Sequence, residues 1–360
     1  MDINERVDNL FFENPYSLNK SEKRAFILDI LGDLHIHHSI NCEGYRRFVE
    51  FFDYREDFVE LSEYPYLPVR LFKNNNLLSI SKEHLFKTLN SSGTTGSVSK
   101  IYLNKATASR QSKVLNKISS FFIGNKRIPM CIIDSKELLQ DRTKFNARAA
   151  GIIGYSVFGR DHFYCLDQNL DLKVEEFIAF IKKYEDEPIF FFGFTFLIWS
   201  KLIERLEELD FSFVVHPDSL MIHGGGWKKL VDLNISNETF KKRLNDQLKL
   251  VYVYNYYGMI EQVGSVFMEC SAGMLHASNY SDILIRDKSD YAVLDHGKEG
   301  LIQVISILPT SYPGNSILTE DVGVLYGEDD CSCGLNGKYF KVNGRLPQAE
   351  LRGCSDTRKV

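Results

Sequence analysis

The stretch PIFFFGFTFLIWSKLIERLEELD, Pro188 to Asp210, decides the fold class. Its apolar window, Pro188 to Trp199, runs for about a dozen residues, short of the roughly 20 that a membrane helix needs. Gly193-Phe194-Thr195 interrupts the run, and beyond it apolar and charged residues recur at helical spacing. The stretch therefore reads as a buried strand passing into an amphipathic helix.

The same alternation repeats outward. MCIID (Met130 to Asp134), GIIGYSVFG (Gly151 to Gly159), LMIHGGG (Leu220 to Gly226) and LVYVYNYYG (Leu250 to Gly258) read as further buried strands, and ETFKKRLNDQLK (Glu238 to Lys249) as a helix. Strands alternating with helices predict an α/β protein with a largely parallel sheet. GLIQVISILP (Gly300 to Pro309) predicts a later strand in a separate, smaller β-rich subdomain. Residues 1–85 read as mainly helical. In SEKRAFILDILGDLHIHH, Phe26, Ile27, Ile30, Leu31 and Leu34 share a helical face, with Ser21 as the expected N-cap.

A net charge of −5 with no basic stripe argues against nucleic acid as a partner. The acidic, polar start MDINERVDNLFFENPYS does not read as a secretion signal. A soluble, cytoplasmic protein without a membrane span is expected. Seven cysteines without the spacing of a small disulfide scaffold leave metal ligation, catalysis and burial open.

The run LNSSGTTGSVSK (Leu89 to Lys100) is a solvated linker or a phosphate cradle of hydroxyls and backbone N–H groups. It lacks the Walker pattern. Ser91, Ser92, Gly93, Thr94, Thr95 and Gly96 resemble the phosphate loop of the acyl-adenylate-forming superfamily. Four further motifs follow in that superfamily's order. HGGGW (His223 to Trp227) resembles the turn on which adenine packs, implicating Gly225 and Gly226, with His223 beside the acyl group or phosphate. YYGMIEQ resembles the element that sets Tyr257 and Gly258 at the adenine and Glu261 on magnesium. TEDVG resembles the segment whose acid, here Asp321, holds the ribose hydroxyls. VNGRLPQAELRG resembles the hinge, with Arg345 near ribose or phosphate. Lys100 stands one place later than the loop lysine of the commonest pattern, and Val98 replaces its proline.

The ending LRGCSDTRKV, with RAAGIIGYSVFGRDHFY and HGGGWKKL, resembles the acyl-protein synthetases of bacterial luminescence, relatives of phenylacetate–coenzyme A ligase. That resemblance implies ATP- and Mg2+-dependent activation of a fatty acid or other carboxylic acid to an acyl adenylate. The acyl group then moves to Cys354 and on to a partner protein, an acyl reductase or carrier protein. It also implies an adenylate-forming fold lacking the usual mobile C-terminal domain. The expected parts are a helical segment over residues 1–88, a core over 89–340, and a hinge remnant with a tail over 341–360. Cys270 and His276 (C-x5-H) with Cys331 and Cys333 (C-x-C) suit a structural Zn2+ or are two unrelated cysteine pairs. Two other functions stay open: an adenylating ligase of surface-polysaccharide or secondary metabolism that loads a carrier protein or amino sugar, and a non-catalytic nucleotide-binding subunit.

Overall fold

A computed structural model describes residues 3–9, 11, 14–54, 57–91, 98–139, 147–225, 227, 230, 233 and 235–346. They form two compact units: one takes the described residues up to Phe121 and again from Tyr257 onward, the other takes Phe122–Tyr256.

The first unit opens with helices α1 (Ile3–Asn9), α2 (Lys20–Asn41) and α3 (Glu43–Phe51). The line Ile27, Ile30, Leu31, Leu34 on α2 is buried, as its spacing predicts. The cap differs from the expectation. Asn19, not Ser21, accepts from the N–H groups of Ser21 and Glu22, and the Glu22 carboxylate returns a bond to the Asn19 N–H. Helix also ends earlier than expected. From residue 57 to 86 turns prevail, with only α4 (Leu71–Asn74) and one short turn of 3-10 helix. Pro65 and Pro68 lack backbone donors, and Leu67–Pro68 (β1) pairs in parallel with Ile317–Leu318.

Strands β2 (Lys87–Asn90) and β3 (Lys100–Leu103) pair antiparallel and lead into α5 (Lys105–Ile123). The rest of the unit comes from the end of the chain: β9 (Val266–Glu269), β10 (Leu275–His276), β11 (Ser281–Arg286), β12 (Glu299–Ser306), β13 (Ser316–Glu328) and β14 (Lys338–Arg345). These lie side by side in the order β11-β12-β13-β14-β10-β9, antiparallel throughout.

The second unit is parallel. Strands β4 (Ile128–Ser135), β5 (Gly159–Leu166), β6 (Phe190–Phe194), β7 (Leu220–Gly224) and β8 (Tyr252–Gly258, the last two residues belonging to the first unit) lie in the order β5-β4-β6-β7-β8. Helices α6 (Ala147–Ser156), α7 (Val174–Lys183), α8 and α9 (Asn237–Leu248) fall between successive strands. Helix α8 comprises Thr195–Leu197, a π-helical turn Ile198–Ile203, and Glu204–Glu208. The strand-to-helix reading of Pro188 to Asp210 thus holds.

GIIGYSVFG does not form a strand. Its residues lie mostly in α6, where Arg148, Ala149, Ile152 and Tyr155 are buried at helical spacing while Ile153 faces solvent. A short apolar run carries no periodicity that separates a strand from a buried helix. The strand is the polar GRDHFYCL that follows.

Candidate adenylate-forming site

In the first unit the predicted nucleotide residues converge. Asp321 on β13 and Arg345 on β14 are directly opposed across an antiparallel pair. Arg345 Nε donates to Asp321 Oδ1 (2.7 Å), and Tyr257 Oη donates to Asp321 Oδ2 (2.6 Å). Each carboxylate oxygen keeps a lone pair for a further donor such as a ribose hydroxyl. Burial, then the adjacent Asp321 carboxylate, holds the Tyr257 phenol well above its ordinary range, so it stays a donor. Gly258 is demanded by space, since a Cβ there would come within 3.0 Å of the Ser265 carbonyl oxygen.

Glu261 occupies the turn after β8 and is 8 % exposed. Burial raises its carboxyl above the usual range, against the pull of Ser99, Arg345 and Lys73. A divalent cation would favour the ionised form, which suits the expected magnesium ligand.

Lys100 begins β3, exposed, opposite Asn90. The Ser91 N–H donates to the Ser99 carbonyl (3.0 Å) and the Ser99 N–H to Ser91 Oγ (2.9 Å). The two ends of the Ser/Thr/Gly run thus lie on paired strands, β2 and β3. Ser92, Gly93, Thr94, Thr95, Gly96, Gly226 and Cys354 lie outside the described residues.

In the second unit His223, next to last in β7, is fully buried. Its Nδ1 lies 2.9 Å from Thr195 Oγ1, and its ring packs on Phe240 at 4.6 Å between centroids. Burial, then Lys241, lowers its pKa to about 3, so the imidazole is neutral at physiological pH. Its Nε2 and the Trp227 Nε1 are both buried with no hydrogen-bond partner among the described residues. Gly225 has φ +68°, a conformation that favours glycine, and a Cβ at Gly224 would strike the Tyr256 ring at 2.6 Å. The backbone can therefore approach that ring closely.

One feature escaped the sequence. Asp134, near the end of β4, is held by Arg148 of α6 through two bonds (3.0 and 2.6 Å), both side chains buried. In this sheet the strand order reverses beside β4, and ligands bind at the carboxyl ends next to such a switch. An acid closing an apolar strand and an arginine opening the next helix were the available signals.

Cys270, His276, Cys331 and Cys333 do come together, their ligand atoms all within 4.8 Å of one another. Cys270 and His276 belong to the β9–β10 hairpin, Cys331 and Cys333 to the connection from β13 to β14, and β10 pairs with β14. Cys270 Sγ lies 4.0 Å from Cys331 Sγ, and Cys333 Sγ 3.4 Å from His276 Nε2. Burial and the adjacent thiols push Cys333 up to about 12, as expected of thiols that cannot ionise together without a cation. Three thiols and one imidazole match the donor set of tetrahedral zinc.

Comparison with known proteins bears on the fold and the family. A curated relative, the long-chain-fatty-acid–luciferin-component ligase of Vibrio harveyi, is 20% identical over 358 residues, covering 97% of this chain and 91% of its own. Among solved structures, an open conformation of 2-hydroxyisobutyryl-CoA ligase superposes with a TM-score of 0.70 at 14% identity, covering 93% of this chain and 77% of that one. The same ligase in its thioesterification state gives 0.70 at 15% identity, covering 92% and 70%. The fold is thus that of the adenylate-forming ligases. The profile described as "Acyl-protein synthetase, LuxE" matches residues 2–359, and the chain belongs to that family of ligases.

Proposed function

We infer that the protein activates a long-chain fatty acid with ATP, carries the acyl group on its own Cys354, and delivers it to a partner protein. The observation that carries this reading is the Tyr257–Asp321–Arg345 arrangement with Glu261 in the same unit. The Vibrio harveyi relative's name, pairing a long-chain fatty acid with a luciferin component, supports the acid and a protein acceptor.

In the first step a carboxylate oxygen of the acid bonds to the α-phosphorus of ATP, and the bond to the bridging oxygen breaks as pyrophosphate leaves. Asp321 holds the ribose hydroxyls, Tyr257 and Gly258 border the adenine, and the loop from Ser91 to Gly96 cradles the phosphates with Lys100. Glu261 would hold Mg2+, which when bound neutralises charge on the triphosphate. His223, uncharged, serves as a hydrogen-bonding group rather than an acid. In the second step the Cys354 thiolate attacks the acyl carbonyl and AMP leaves. Arg352, Arg358 and Lys359 favour that thiolate. Nine residues separate Arg345 from Cys354, a reach of roughly 30 Å at about 3.3 Å per residue. The final acceptor is an acyl reductase or a carrier protein, and the setting is cytoplasmic. Among the described residues no helix is long and apolar enough to cross a membrane. Cys270, His276, Cys331 and Cys333 would hold a structural Zn2+.

The test is ATP-dependent labelling with radioactive fatty acids, wild type against Cys354→Ala, with and without neutral hydroxylamine. A hydroxylamine-labile label on the wild type alone is expected. Acyl-AMP formation without any label on the wild type would remove Cys354 from the reaction.

A further inference from the structure

Each of the three residues after Glu261 is anchored to one buried segment. Gln262 Nε2 donates to the carbonyls of Val304 (3.0 Å) and Gly314 (2.9 Å), and its Oε1 accepts from Ser265 Oγ (2.6 Å). The Val263 N–H donates to Tyr312 Oη (3.0 Å). Gly264, at φ +83°, sits where a Cβ would meet Leu308 Cδ1 at 2.5 Å. Leu308, Tyr312 and Gly314 belong to residues 307–315, which join β12 to β13 without regular structure and are buried at every position.

That segment is itself held from below. His38 Nε2 lies 3.3 Å from the Pro309 carbonyl, His37 Nε2 lies 2.9 Å from the Thr310 carbonyl, and the Ser79 N–H donates to the Ser311 carbonyl at 2.8 Å. The fold thus provides a fixed floor under an otherwise short turn.

We propose that Tyr312 is a positioning residue that fixes the Glu261 carboxylate for its cation, by tying the Val263 N–H to this floor. The phenol oxygen accepts one bond and keeps its proton for a second partner, and the Glu261 charge reaches Tyr312. Tyr312 acts through the turn and not by touching nucleotide or acid. The inference rests on Glu261 being the magnesium ligand.

The experiment is a Mn2+ titration of the enzyme–ATP complex without fatty acid, followed by water proton relaxation, which distinguishes enzyme-held metal from Mn2+ on free ATP. Tyr312→Phe should weaken Mn2+ binding about tenfold while leaving metal-free ATP affinity and the KM for hexadecanoic acid unchanged. Saturating metal should restore kcat to within about twofold of the wild type. Gln262→Met, which cuts the other tether, should shift the same titration in the same direction and keeps the test open if Tyr312→Phe fails to fold. A lower melting temperature with unaltered Mn2+ binding in both variants would overturn the proposal. A Glu261→Gln protein that binds Mn2+ as the wild type does would overturn the Glu261 assignment itself, and this proposal with it.

Discussion

His38 and His223 are both fully buried, and burial lowers both to a pKa of about 3. In the unfolded chain each titrates near 6.5. Below that value the unfolded state binds a proton the folded ring refuses, so stability is full above about pH 6.5 and is lost as pH falls toward 3. Each ring contributes a slope of about 1.4 kcal/mol per pH unit in that window. Urea unfolding between pH 7 and 5 should show it, and His38→Gln should flatten it by one ring's share. At this scale Tyr257, Glu261, Asp321 and Arg345 were legible because each sits in a short motif. Gln262 and Tyr312 were not. A bond from residue 263 to residue 312 leaves no local pattern, and a tyrosine within TSYPGN looks like an ordinary turn residue.

Among the elements, α6 depends on a buried charge pair. Replacing Arg148 with Met strands the Asp134 carboxylate, whose pKa burial already raises despite the arginine. Removing one partner of such a pair costs about 3–5 kcal/mol. Arg148→Met should therefore unfold at lower denaturant, and Asp134→Asn in the same chain should recover part of the loss. Helix α2 offers a milder case, since Asn19→Ala removes the acceptor of two helix N–H groups and should cost about 1 kcal/mol by thermal unfolding. The β-α alternation from Met130 onward was readable because strands buried on both faces are apolar runs between amphipathic helices. GIIGYSVFG was misread for the same reason, since α6 also presents an apolar run. The cap was misplaced by two residues because both asparagine and serine favour that position.

For the molecule as a whole, the cysteine–histidine cluster is also an anchor for the amino-terminal arm. Asn279 N–H donates to the Pro15 carbonyl, Asn336 Nδ2 to the Ser17 carbonyl, Lys23 Nζ to the Ala277 carbonyl, and the Lys20 N–H to Asp329. Tyr16 meets the His276 ring edge-on at 6.3 Å. Removing zinc by chelation, or substituting Cys333→Ser, should lower the melting temperature by roughly 5–10 °C. Hydrogen exchange should show lost protection over residues 14–41 as well as over the cluster, with one metal per wild-type chain by atomic absorption. Sequence spacing pointed to Cys270, His276, Cys331 and Cys333, but the arm's attachment beside them spans the length of the chain and could not be read locally.

The same attachment sets a timetable for synthesis. Lys20 bonds to Asp329 across 309 residues, whereas the described residues of the other unit, Phe122–Tyr256, come from one part of the chain. At about 5–20 residues per second, a ribosome separates the two partners by roughly 15–60 s. During that interval the parallel sheet can complete itself while α2 still lacks the Ala277 and Pro309 carbonyls that meet its Lys23 and His38. The segment made first thus belongs to the unit that is finished last.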